Sequence, residues 1–87
     1  MDQQWKLSFQ EKLDQHYSWP ALYIFKFIVP AGKEQELKDL FPMHESTQKQ
    51  STKGKYSSIT IQMMMPSGAE VVRIYERAAT IEGLIAL

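Results

Sequence analysis

Residues 21–29 read ALYIFKFIV, and this short run constrains the fold more than any other. Side chains alternate between the two faces of a strand. Tyr23, Phe25, Phe27 and Val29 therefore share one face, and Leu22, Ile24, Lys26 and Ile28 share the other. Both faces are largely apolar, which places the strand in the middle of a sheet. The aromatic face is expected to lie under helices, and the face bearing Lys26 to be less deeply covered. Even extended to WPALYIFKFIVPAG, the apolar stretch is too short to cross a bilayer, and Lys26 stands at its centre.

A second strand is predicted over residues 55–65. Ile59, Ile61, Met63 and Met65 form its apolar face, and Tyr56, Ser58, Thr60, Gln62 and Met64 its other face. Before the first strand, Trp5, Phe9, Leu13 and Tyr17 recur every four residues, a narrow stripe that predicts a helix over 3–17. Trp19 and Pro20 end it, because proline disfavours the helical region for the residue before it. Trp5 and Phe9 could cover the chain's own sheet or a second subunit, and the pattern does not choose. After a turn at Pro30, Ala31 and Gly32, the segment KEQELKDLF predicts a helix with Leu37, Leu40 and Phe41 on its apolar side and Pro42 as its stop. Residues 43–52 are almost wholly polar and read as a loop or an edge strand. Ser67 and Glu70 match a capping box that opens a helix with Val71, Ile74, Tyr75 and Ala78 on one stripe. Gly83 is expected to terminate that helix, and the closing LIAL to form a last short strand.

The order is a helix, then strand, helix, strand, strand, helix, strand. That is the split βαβ, or ferredoxin-like, arrangement. The expected fold class is α+β: βαββαβ with a four-stranded antiparallel sheet, two helices on one face and an additional N-terminal helix. The polarity agrees, since the strands that are central in this topology are the apolar ones. Residues 1–18 are taken as a helical extension and 19–87 as the domain proper.

Composition narrows the function classes. A chain of 87 residues has room for one core and little else. Ten basic residues balance ten acidic ones, so there is no overall field to draw the chain to nucleic acid or an anionic membrane. Without cysteine there is neither a disulfide framework nor thiolate chemistry. The opening MDQQWKLSFQEKLDQ is polar and mixed in charge, unlike a signal peptide, and the expectation is a soluble, cytoplasmic protein.

Several pieces together resemble a known family. Trp19 and Pro20, then Phe25 and Lys26, then Ser51, Lys53, Gly54, Tyr56 and Ser58 in an S-x-K-G-x-Y-x-S pattern, and Ile81 with the apolar close to Leu87, are similar to the YbeD-like family. The resemblance covers about residues 19–87. The departures are a long N-terminal helix, a short-looking helix after the first strand, and a poor match over 43–50. The resemblance implies small bacterial proteins of largely unassigned function, a ferredoxin-like fold and a likeness to regulatory amino-acid-binding (ACT) domains. A regulatory role would follow only by analogy of fold.

The stretch STKGKYSS at 51–58 invites a phosphate-loop reading, but Tyr56 follows Gly54 and Lys55 where a P-loop needs serine or threonine, and a strand follows where it needs a helix. A hairpin turn with Gly54 at positive φ is expected instead. Projecting the strands places Lys26, Tyr56, Ser58 and Thr60 together on the open face, ringed by Leu22, Ile24, Ile28 and Met64. With Lys53 and Gly54 from the adjoining turn, these are the candidate ligand- or partner-binding residues. The bland alternative is that Lys26 lays its alkyl stem over apolar neighbours and nothing more. KGKYSSITI starts like an RNA-recognition signature but lacks the later aromatics, so RNA binding through an RRM-like face is the alternative function. His44 and Glu45 lack the second histidine of a zinc-protease helix, because Gln48 stands there. The three methionines from Met63 to Met65 read as packing, with Met64 on the open face. Pro30, Ala31 and Gly32 occupy the place of the effector-binding turn of ACT domains, with a plain strand-to-helix connection as the simpler reading.

The expected function is a small regulatory or binding module working through the open sheet face, without enzymatic activity or cofactor. Its partner would be a second copy of the chain, another protein or a small anionic metabolite, with nucleic acid and membrane set aside.

Overall fold

A computed structural model describes residues 3–51 and 53–87 of the chain. The elements are α1 (Gln3–His16), β1 (Ala21–Pro30), α2 (Glu34–Lys38), β2 (Ser46–Gln50), β3 (Tyr56–Met65), α3 (Gly68–Ala78) and β4 (Ile85–Ala86). The sheet order is β2-β3-β1-β4, and every pairing is antiparallel. This is the ferredoxin-like arrangement, with the two most apolar strands at the centre.

The helices lie on one face of the sheet. Phe25, Phe27, Val29, Ile59 and Ile61 from the sheet share one buried cluster with Leu37 of α2, Val71, Val72, Tyr75 and Ala78 of α3, and Leu13 of α1. The α3 stripe is thus wider than its spacing suggests, because Val72 joins it. Ser67 caps α3 by accepting a hydrogen bond from the Glu70 backbone N–H at 3.2 Å. The Glu70 carboxylate does not return the bond of a full capping box but pairs with Arg73 at 2.8 Å.

The stripe of the N-terminal helix meets the chain's own α3. It docks on α3, running antiparallel to it: Lys6 pairs with Glu76 at 3.1 Å, and Asp14 stands beside Gly68 at the other end. Phe9 meets Tyr75 edge-on at 5.5 Å between ring centroids. Trp19 donates from its indole N–H to Asp14 at 2.8 Å and stacks on Tyr17, joining the end of α1 to the start of the sheet.

Two expectations are corrected. The helix after β1 spans only Glu34–Lys38, and Leu40 and Phe41 reach the protein through the turns that follow it. Gly83 does not terminate α3. That helix ends at Ala78 with Ala79 still in right-handed geometry as its C-cap. Gly83 lies further on, at φ 81°, where the chain turns into β4 and a side-chain carbon would fall 2.6 Å from Pro30 Cγ. Within the polar stretch left open between loop and edge strand, Ser46–Gln50 form β2.

Candidate open-face binding surface

The face of the sheet turned away from the helices is uncovered. Register fixes what stands on it, because directly opposed residues of neighbouring strands point the same way. Leu22 faces Met64, Ile24 faces Gln62, Lys26 faces Thr60, Ile28 faces Ser58 and Pro30 faces Tyr56. On the far side of β3, Thr47 faces Thr60 and Lys49 faces Ser58. On the far side of β1, Ile85 faces Ile28. Leu22 is 51% exposed, Ile24 56%, Met64 57%, Ile85 52% and Tyr56 46%.

The expected residues lie on the expected face, but as a line rather than one cluster. Lys26 stands opposite Thr60, whereas Tyr56 is four residues further along β3, about 13 Å away at strand spacing. The two ends therefore form separate neighbourhoods. One is Lys26 with Thr60. The other is a depression of about 250 Å³ lined by Ile28, Lys49, Gln50, Ser51, Tyr56 and Ser58. Lys49 was not among the expected site residues. It sits on a polar edge strand whose period is invisible in the sequence, and only its pairing with Ser58 brings it to the face. Lys53 and Gly54 stand apart, in the turn that joins β2 to β3. Gly54 adopts φ 70° there, as the hairpin reading requires, and its N–H donates to the Ser51 carbonyl at 2.9 Å.

A second feature lies off the face, at the turn after β1. The Glu34 carboxylate accepts from the Gly32 N–H at 2.7 Å through one oxygen and from the Ser57 hydroxyl at 2.7 Å through the other. Ser57 is buried at the start of β3. The Ser57 hydrogen bond, reinforced by backbone donors, holds the Glu34 carboxyl below its ordinary value of 4.5. The turn is thus clasped to β3 by the chain's own carboxylate, and the Gly32 N–H is not offered outward. A folded pKa that is lowered stabilises the fold above the unfolded value and loses that contribution as pH falls through the folded one. The stability gap between wild type and Glu34→Gln, read from urea midpoints, is therefore expected to narrow as pH falls from about 6 to about 3. A gap that does not vary with pH would count against the clasp.

The remaining shifted groups are Tyr23 and Tyr75, whose hydroxyls lie 3.0 Å apart between sheet and α3. Burial raises both above the usual phenol range. Among the described residues no three acidic, histidine or cysteine side chains gather as metal ligands, and no helix is long and apolar enough to cross a membrane.

No curated protein and no solved structure matches the chain. A family described as "Protein of unknown function (DUF493)" matches residues 14–86. That span runs from the end of α1 through β4 and takes in the whole sheet with its open face, so the chain belongs to the DUF493 family.

Proposed function

We propose that the chain is a non-enzymatic binding module of the YbeD-like kind, and that its open sheet face takes the apolar surface of another protein. The observation that carries this reading is the uncovered face itself. Leu22, Ile24, Met64, Ile85 and Tyr56 are each about half exposed on one side of one sheet. Together they offer a largely apolar surface, and the largest apolar patch of a small protein is often a functional one. Lys26 and Lys49 stand among them, and Glu45, just before β2, lines a depression with Thr47, Thr60 and Gln62. The complementary partner is apolar at its centre and polar at its rim.

A small anion fits less well. The depression beside Lys49 and Tyr56, about 250 Å³, falls below the usual range of roughly 300–1,000 Å³ for ligand sites. RNA fits less well still, because Phe25 and Phe27 are wholly buried and Tyr56 is the one aromatic at a strand position of the open face among the described residues. The shifted pKa values do not favour acid–base catalysis. Glu34 moves down and the two tyrosines move up, all away from neutrality. A regulatory use, on the pattern of ACT domains, is the form this module takes by likeness of fold.

A photo-crosslinking side chain at Gln62 on the face tests the reading in the producing cell. It is expected to give a discrete adduct at least ~10-fold above the same group at Arg73 on the helical side, and to lose it in Lys26→Ala or Tyr56→Ala. Equal labelling at both positions sinks the proposal. A carboxylate or phosphate that raises Tm by several degrees, with no adduct, moves the site to a small ligand.

A further inference from the structure

The sequence has five methionines and no cysteine, so a thioether is the sulfur that an oxidant meets. The run from Met63 to Met65 sets three of them in different surroundings on one strand. Met65 is 2% exposed and belongs to the core. Met63 stands opposite Tyr23 on the helical side and packs against that core. Met64 points the other way and is 57% exposed. Register puts it directly opposite Leu22, with Ile24 of β1 diagonal to it. These three side chains form one apolar end of the open face. Met43, 89% exposed, lies off the sheet between α2 and β2.

We propose that Met64 is a site of reversible oxidation by peroxides, and that its sulfoxide switches the open face off for its protein partner. The switch exists only where that face is the binding surface proposed above. In the forward step a sulfur lone pair attacks one oxygen of hydrogen peroxide, the S–O bond forms and the O–O bond breaks. The proton of the transferred oxygen passes to the other oxygen, which leaves as water. Sulfur loses two electrons and the peroxide gains them. Sulfoxide reductases restore the thioether, with the oxygen leaving as water and a dithiol giving up two electrons. That dithiol is external, because the sequence holds no cysteine. The thioether is flexible and apolar, which suits an adaptable apolar contact. The sulfoxide oxygen is a strong acceptor. An apolar partner surface laid over it removes its water and returns no donor. Oxidation of Met43 alters a segment off the sheet, and Met65 is closed to solvent. Among the described methionines, Met64 is thus the one whose oxidation changes the open face and spares the core.

The test uses the full 87-residue chain with the crosslinking group at Gln62, treated with hydrogen peroxide, cleared of it and photolysed in a lysate of the producing cell. Methionine methyl resonances follow each site. Met43 and Met64 are expected to oxidise at least ~10-fold faster than Met65. The adduct is expected to fall at least ~10-fold once Met64 is oxidised, and to return after dithiothreitol with reductases for both sulfoxide epimers. Met64→Leu, treated alike, is expected to keep its adduct although Met43 oxidises, and Met43→Leu to lose it. The Tm of the oxidised chain is expected within about 3 °C of the untreated one, since an exposed position carries little of the fold. An adduct that persists with Met64 oxidised overturns the switch. So does a loss shared by Met64→Leu, a Met64 no more reactive than Met65, or a fall in Tm that unfolds the chain. An untreated chain without adduct overturns the open-face reading and the switch with it, so the two failures are told apart.

Discussion

Phe25→Ala is expected to remove most of the chain's stability. Phe25 is wholly buried at the centre of the aromatic core, with Tyr23, Phe41, Tyr75 and Phe27 at centroid distances of 4.8, 5.5, 5.4 and 6.1 Å. Truncating a buried phenylalanine costs about 3–5 kcal/mol, the transfer term plus the cavity left behind. A domain of this length has only about 4–13 kcal/mol in total. The expected fall in Tm is therefore on the order of 15–30 °C, measured by thermal or urea unfolding. Ile24→Ala, one residue earlier on the same strand but on the open face, is the control, expected within about 1 kcal/mol of wild type. Similar losses for the two would mean that the faces of β1 are not divided as described.

Leu37→Ala is expected to act differently, detaching one element while the sheet persists. A five-residue helix is far too short to hold itself together in water. Leu37 is the one buried residue of α2. The exposed pair of Lys33 and Glu36 at 3.2 Å adds little. Losing the leucine costs about 2–5 kcal/mol, enough to free α2 from the sheet. Amide exchange should become fast over residues 34–41 while β1 and β3 stay protected. The Glu34 clasp on Ser57 goes with it, since it depends on the same helix start. Uniform loss of protection across the chain would show that α2 is not a separable unit.

How much of this was legible before the structure follows from the reach of each signal. The two faces of β1 and β3 were readable because period-two alternation is local and dense: Phe25, Phe27, Ile59 and Ile61 are buried as expected, and Lys26 is exposed. The stripe on α1 was equally readable, but its docking on α3 was not, since Phe9 and Tyr75 are far apart in sequence. The hydrophobic spacing of Leu37, Leu40 and Phe41 gave the right residues and the wrong length of helix, because a run of turns can bury the same positions. Glycine near a helix end marks a turn without saying which one, which is why Gly83 misled. Lys49 and the clasp between Glu34 and Ser57 were invisible for one reason: each exists only through pairing of distant segments. The face was therefore readable from alternation, while its division into two neighbourhoods, with Lys26 apart from Tyr56, needed the register.

The docking of α1 on α3 has a consequence for how the chain reaches this state. Lys6 and Glu76 are seventy residues apart, and β1 waits for both β3 and β4. Contacts of such long range must close large loops before they return any stabilisation, so the chain is expected to fold more slowly than a helical bundle of its size. On the ribosome α1 emerges before α3, with Trp5, Phe9 and Leu13 on its surface, and waits for that partner until α3 follows. A helix made before its partner is thus among the last to settle, and its aromatic stripe stays open to solvent and to other chains until α3 is made.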